Sequence, residues 1–187
     1  MGDSGDELEW IRRSREGDSE AFGKLVARHQ RMIHALTFRM TGSLADSADL
    51  AQEAFVQAYR RLGSFRGEAR FSSWLYQIAV NACLNWRKSN ARRQRAFRDW
   101  AEQERALHSD SHCANSGNDE RTRCVQDALI RLPDKQRAAI VLTVYEEMNH
   151  AEAARVLGCS ETTVSWRVFA ARRKLKRWLK PALQQDE

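Results

Sequence analysis

Residues 149–179 read NHAEAARVLGCSETTVSWRVFAARRKLKRWL, and this stretch decides the fold. Two helical patterns, 151–157 and 161–179, flank the turn Gly158-Cys159-Ser160. Gly158 permits the left-handed conformation that such a turn needs. Ser160 is placed to accept from the amide of Thr163 as an N-cap. Ala154 is small where two helices must cross, and Val156, Leu157, Val164 and Val168 form a shared apolar stripe. The pattern is a helix-turn-helix, whose second helix enters the major groove of DNA by its N-terminal part. Thr162, Thr163, Ser165, Trp166 and Arg167 lie early on that helix, and Arg172, Arg173, Lys174, Lys176 and Arg177 follow. The later cations are assigned to phosphates, and Arg167 with the small polar residues to base edges. The plainer alternative is a helical hairpin with a basic exterior, which the turn chemistry disfavours.

Working outward, 122–132 reads as a helix ending at Pro133, and Pro133-Asp134 open another to about 147. Near the N-terminus, 7–15 forms a short helix stopped by Gly17. Ser19 then caps a helix to residue 40, with Phe22, Leu25, Val26, Met32, Ile33 and Leu36 on its apolar side. Gly42 and Ser43 break it. Asp46 starts a helix in which Leu50, Ala54, Phe55, Ala58 and Leu62 recur at three- and four-residue steps, and Gly63 ends it. After the loop SFRGEARF (64–71), Ser72 or Ser73 caps a helix over 74–93. Residues 99–118, which include HSDSHCANSGN (108–118), carry small polar residues without periodicity and read as a linker. The expected architecture is all-α, with two small helical domains, 8–97 and 121–182, joined by a flexible linker over 98–120.

The 187-residue chain has a formal charge of +6, unevenly spread. Residues 83–98 hold six basic side chains and no acid, and 165–180 hold seven and no acid. An acidic stretch separates these blocks. Such a distribution suits a polyanion held at two places. No apolar run approaches the length of a membrane span, and the acidic start MGDSGDELEW lacks the pattern of a secretory signal. Four irregularly spaced cysteines make no disulfide framework, so a reduced, cytoplasmic location is expected, without membrane insertion.

At 100° per residue, Trp74, Asn81, Asn85 and Lys88 share one face of their helix. Leu75, Ile78, Ala79, Ala82 and Cys83 occupy the neighbouring sector and are expected to be core. An aromatic plate beside two amides and a cation suits unstacked bases. Arg66 and Arg70 in the preceding loop add charge, and Phe65 a second plate. The plainer alternative buries both aromatics and leaves the asparagines as surface residues.

Together these stretches resemble one family. DLAQEAFVQAYRRLGSFRGEARFSSWLYQIAVNACLNWRK (49–88) resembles region 2 of the extracytoplasmic-function (ECF) sigma factors of bacterial RNA polymerase, within the sigma-70 family. LPDKQRAAIVLTVYEEMNHAEAARVLGCSETTVSWRVFAARRKLK (132–176) resembles region 4. The resemblance implies an alternative sigma factor that binds core polymerase and directs it to specific promoters. It implies contact of Asp49, Gln52, Glu53 and Gln57 with the β′ coiled coil, and of the chain with the β flap. The loop from Ser64, with Phe65, Arg66 and Arg70, matches the segment that captures a flipped minus-10 base. Trp74, Asn81, Asn85 and Lys88 line the single strand. The helix carrying Thr162, Thr163, Ser165, Trp166, Arg167, Arg172, Arg173 and Lys174 matches the reader of the minus-35 duplex. Ser165 and Trp166 stand where many relatives carry a basic or small residue. An anti-sigma partner is also implied.

His108, His112, Cys113 and Cys124 are the one cluster of metal-like residue types, set against a plain linker reading. No metal or other cofactor is expected. No phosphate-binding loop, dinucleotide fingerprint or HExxH occurs, and His29, His34 and His150 have no catalytic neighbours in sequence, so the chain is not expected to be an enzyme. The alternatives are a conventional dimeric helix-turn-helix transcriptional regulator and a helical adaptor with a metal-responsive linker.

Overall fold

The computed structural model describes residues 3–103 and 120–183, and these are helices and turns throughout. The first lobe comprises α1 (Asp3–Arg15), α2 (Ser19–Thr41), α3 (Leu44–Arg61), a 3-10 turn (Leu62–Ser64) and the start of α4 (Phe71–Gln103). The second comprises α5 (Glu120–Arg131), α6 (Asp134–Ile140), a π-type turn (Val141–Tyr145), α7 (His150–Leu157) and α8 (Glu161–Leu183).

The apolar spacing read from the sequence becomes the core. Leu25, Ile33 and Leu36 of α2, Leu50, Ala54 and Ala58 of α3, and Leu75, Ile78, Ala79, Ala82 and Cys83 of α4 are buried. Phe22, Val26, Met32 and Phe55 are only half-buried. In the second lobe Val156, Val164, Val168 and Ala171 bring α7 and α8 together, with Ala154 buried near their crossing. Burial pushes the Cys83 thiol up to about 12, so it stays protonated and behaves as a small apolar group.

Several boundaries differ from expectation. Asp18, not Ser19, caps α2, accepting from the Ala21 amide at 3.0 Å. That bond, with help from Arg13, holds the Asp18 carboxyl below the usual range. Ser43 caps α3, so this helix starts at Leu44 rather than Asp46. Helix α4 starts at Phe71, ahead of both serines. Phe71 is buried against Phe65 and His29, so ring packing sets this start. It continues to Gln103, beyond the expected end and into the expected linker. Helix α8 runs past Pro181, which lies in its last turn and forfeits one backbone bond there. The helix expected up to residue 147 instead passes into the π-type turn, and Glu147 adopts a φ of 52°. Asn149 and Glu152 form a reciprocal capping box that starts α7.

The expected two all-α domains are both present, and they pack against each other. They share one continuous core, with α5 against α2 and α7 against α4. Arg137 lies fully buried at this junction. Its Nε donates to Leu129 O at 2.7 Å, Nη2 to Leu132 O at 2.9 Å and to Ile130 O, and Nη1 to Met40 O of α2 at 2.6 Å. Around it, Gln126 Nε2 donates to Phe38 O at 3.0 Å and Arg87 Nε pairs with Asp134 at 2.5 Å. Tyr76 donates its hydroxyl proton to Glu146, which also pairs with Arg39 at 3.3 Å. Arg39 stacks on Tyr145, 4.4 Å from the ring centroid. Gly42 ends α2 with a φ of 76° and sits so close to α5 that an added Cβ would fall 2.8 Å from Ile130 Cγ1.

Replacing Arg137 by Met leaves buried carbonyls without donors, each costing about 1–3 kcal/mol. Urea unfolding is expected to show a loss of at least about 3 kcal/mol for Arg137→Met. Arg137→Lys is expected to recover only part of it, because an ammonium cannot span the same carbonyls. Equal stability of Arg137→Met and the unaltered chain would contradict the capping role.

Candidate nucleic-acid interface

In the first lobe three rings cluster at the α4 start. Trp74 lies 5.3 Å from Phe65 and 5.5 Å from Phe71 between centroids, and Phe65 meets Phe71 edge-on at 5.5 Å. The expectation of an accessible Phe65 plate is corrected: Phe65 is only 6% exposed. It packs beneath Trp74 because its backbone is pinned. Arg15 of α1 donates to the carbonyls of Leu62 (3.2 Å from Nε) and Phe65, and its guanidinium lies 6.0 Å from the Phe65 ring centroid. This staple from α1 has no sequence signature. Trp74 itself is half-buried. It borders a cavity of about 320 Å³ lined also by Glu68, Ala69, Arg70, Ser73 and Gln77, and by Glu152, Arg155 and Val156 of α7. Asn81, Asn85, Lys88, Arg66 and Arg70 are exposed, as is Ser64, whose hydroxyl donates to Arg61 O at 2.7 Å. The arrangement offers a π-face with amides and cations beside it, the chemistry of single-strand binding.

On α3, Asp49, Gln52 and Glu53 are exposed and Gln57 half-buried, with Gln57 Nε2 donating to Glu53 at 2.8 Å. Next to them, α2 and α3 leave an open apolar groove of about 710 Å³, lined by Phe22, Val26, Gln52, Phe55, Val56 and Tyr59 among others. Exposed Val56 and Tyr59 were not singled out in the sequence; their apolar character on an otherwise polar face was the available signal.

In the second lobe the turn forms as expected. Gly158 adopts a φ of 59°, and the Thr163 amide donates to Ser160 Oγ at 3.2 Å. Thr162, Ser165, Trp166, Arg172 and Arg173 are exposed. Ser165 Oγ lies 2.8 Å from His150 Nδ1. Three expected reader residues are partly engaged inside the lobe. Thr163 is half-buried against Ser160, Arg167 donates to Cys159 Sγ at 3.4 Å, and Lys174 donates to Gln136 at 3.1 Å. Cys159 is half-buried against the edge of the core. Phe169, 65% exposed, lies three residues beyond Trp166, 62% exposed, and extends the same face. Sequence reading missed it, although the buried stripe Val164, Val168 and Ala171 leaves it opposite.

Of the metal-like cluster, His108, His112 and Cys113 lie outside the described residues, and Cys124 is half-buried on α5. Among the described residues no group of three or more potential ligands gathers, and no helix is long and apolar enough to cross a membrane.

Family profiles match the two lobes separately: Sigma-70 region 2 over residues 25–93 and Sigma-70, region 4 over residues 122–175. The ECF RNA polymerase sigma-E factor of Escherichia coli K12 is 35% identical over 181 residues, covering 93% of this chain and 94% of that protein. Among solved structures, CnrH in complex with the cytosolic domain of CnrY superposes with a TM-score of 0.65 at 28% identity, covering 97% of this chain and 99% of CnrH. The sigma factor RpoE from Bartonella quintana, in complex with the anti-sigma factor NepR, shares the fold with a TM-score of 0.66 at 24% identity, over 85% of this chain and 96% of RpoE. A duplex-only dimeric regulator does not account for a region 2 lobe preceding the helix-turn-helix. Both sigma regions stand in order along one chain that aligns with a full-length relative, and the chain belongs to the ECF sigma factors of the sigma-70 family.

Proposed function

We propose that this sigma factor works by a division of labour between its lobes. The lobe over 8–97 holds core polymerase and captures unstacked minus-10 bases, and the lobe over 121–182 reads the minus-35 duplex. The observation that carries the reading is the half-open indole of Trp74, supported on Phe65 and Phe71 and followed along α4 by exposed Asn81, Asn85 and Lys88. Extruding a base costs a few kcal/mol, which stacking and hydrogen bonding of the freed base must offset. Phe65 acts from below as a support for Trp74, and Arg66 and Arg70 meet the strand's phosphates. On α8, exposed Thr162, Ser165 and Trp166 face base edges, while Arg172 and Arg173 meet phosphates.

The apolar groove between α2 and α3, which Gln52 lines, is the docking surface for the β′ coiled coil, with Asp49, Glu53 and Gln57 beside it on α3. The second lobe meets the β flap. The polymerase supplies all the chemistry, so the chain has no catalytic role of its own, and it works in the cytoplasm where the polymerase is. An anti-sigma factor regulates it, as the solved complex of its structural neighbour RpoE suggests.

Reconstitution with bacterial core polymerase, followed by sequencing of transcript starts, is expected to give transcripts from a defined promoter set; none across a genomic pool would overturn the reading. Trp74→Ala and Asn81→Ala are expected to slow promoter opening by about tenfold each while binding core normally, in line with about 1–3 kcal/mol per stacked base. Normal melting by both variants, followed by permanganate reactivity, would remove them from the strand path. Arg173→Ala is expected to weaken duplex binding at all sequences and reduce the salt slope by about 1. An unchanged slope would take Arg173 off the phosphate contacts.

A further inference from the structure

We propose that Trp166 and Phe169 make α8 a reader of thymine methyl groups, so that the minus-35 duplex this chain selects is defined more by apolar contact than by hydrogen bonds. This inference rests on the duplex-reading assignment of α8. At 100° per residue, Thr162, Trp166, Phe169 and Arg173 fall within about 60° of one another, on the side of the helix away from buried Val164, Val168 and Ala171. All four are exposed, Trp166 and Phe169 most conspicuously among the rings of the described residues. The other described apolar side chains of α8 are buried or half-buried, so two rings left in water mark a surface that a partner covers. What borders the rings defines that partner. Arg172, Arg173, Lys176 and Arg177 are exposed along the next turns, and residues 165–180 contain no acid. The stripe therefore fits a surface with apolar spots inside an anionic frame. The major groove of a duplex containing A·T pairs is such a surface, with thymine C5-methyl groups between two lines of phosphates.

The polar side chains of the first turns are partly committed elsewhere. Ser165 Oγ lies 2.8 Å from His150 Nδ1, Thr163 Oγ1 lies 2.8 Å from Ser160 Oγ, and Arg167 donates to Cys159 Sγ at 3.4 Å. Arg167 also lies about 100° round the helix from Trp166, away from the exposed stripe. To grip a guanine it has to leave Cys159 and swing out from a half-buried position. The rings are already in place. An indole has one donor and no acceptor, and a phenyl ring has neither, so they discriminate by shape and polarity. A thymine methyl seats against a ring face. A cytosine presents its amino group to the same groove, and covering that group with a ring removes water without supplying an acceptor. Trp166 and Phe169 are about 4.5 Å apart along the helix axis, a little over one base-pair step, so they meet neighbouring base pairs.

The test uses holoenzyme assembled from the full chain and bacterial core polymerase. The probe is a fluorescein-labelled promoter duplex recovered by the transcript-start experiment. In a second duplex, deoxyuridine replaces every thymidine of the minus-35 segment, which removes the methyl groups and keeps every hydrogen-bonding group of the bases. Holoenzyme is expected to bind the uracil duplex about fourfold more weakly for each thymine contacted, the worth of one buried methyl group. Trp166→Ser and Phe169→Ala are each expected to weaken binding of the thymine duplex and to lose part of the difference between the duplexes. The double variant is expected to bind both duplexes alike, and to bind core polymerase as the unaltered chain does. Equal affinity of the unaltered holoenzyme for the two duplexes overturns the proposal. So does a uracil penalty that the double variant keeps in full, or a recovered promoter set whose minus-35 segments share no A·T pair. Loss of core binding by the double variant assigns the rings to a protein contact and overturns it as well. Arg173→Ala separates the causes. If the uracil penalty is absent while Arg173→Ala still lowers the salt slope, the methyl reading alone fails; if the slope is unchanged too, the placing of α8 on the duplex fails with it.

Discussion

A guanidinium removed from water has to find acceptors for its donors, and Arg137 finds them at the ends of two helices. The last turn of a helix leaves carbonyls without intrahelical partners, and these carry partial negative charge. The C-terminal carbonyls of α5 and the Met40 carbonyl near the end of α2 converge on the one cation. The nearest carboxylate contact, Asp134, is 3.8 Å away, so helix ends rather than a salt bridge compensate the buried charge. Desolvation still pulls the Arg137 pKa down to about 10, which leaves it charged at neutral pH. The position of α5 against α2, and through it the placing of α7 over α4, follows from this arrangement.

The DNA-facing chemistry depends on a second constraint, which is support from below. An exposed indole on a bare helix has many rotamers and a poorly fixed plane. Phe65 and Phe71 fix the Trp74 plane by contact, and Arg15 fixes Phe65 by its backbone. His29 in turn packs on Phe71 and lies 2.7 Å from Glu7 through Nε2. The first helix thus serves the site without touching it. In the second lobe, the capping box at Asn149, the left-handed Gly158 and the Ser160 cap together fix the turn. They determine which face of α8 is presented outward.

Local rules carried much of this into the sequence. Periodicity marked the buried faces of α2, α3, α4 and α8, because a 3.6-residue repeat has to place apolar side chains on one stripe. Gly158 and Ser160 announced the turn, because few residues meet its backbone demands. The exposed asparagines and lysine of α4, and the exposed start of α8, followed from the same geometry. Sequence spacing fails where a side chain's partner lies far along the chain. Phe65 read as a plate because a loop aromatic beside arginines fits that role, yet Phe71, Trp74 and Arg15 together hold it inside. Arg167 reads as a base contact and Lys174 as a phosphate contact, and spacing does not record their hydrogen bonds to Cys159 and Gln136.

The sequence alone determined that there are two helical lobes, where their cores lie, and which helix ends in a DNA-reading turn. Each of these depends on neighbours within a turn or two of the chain. Only the tertiary structure decided that the lobes close on each other, that Arg137 joins them, and that Trp74 looks across a cavity at α7. Those facts depend on pairs of residues about 70 to 110 positions apart, such as Tyr76 with Glu146 and Arg39 with Glu146. Their pairing is set by the shapes of two finished surfaces, and no local pattern records it.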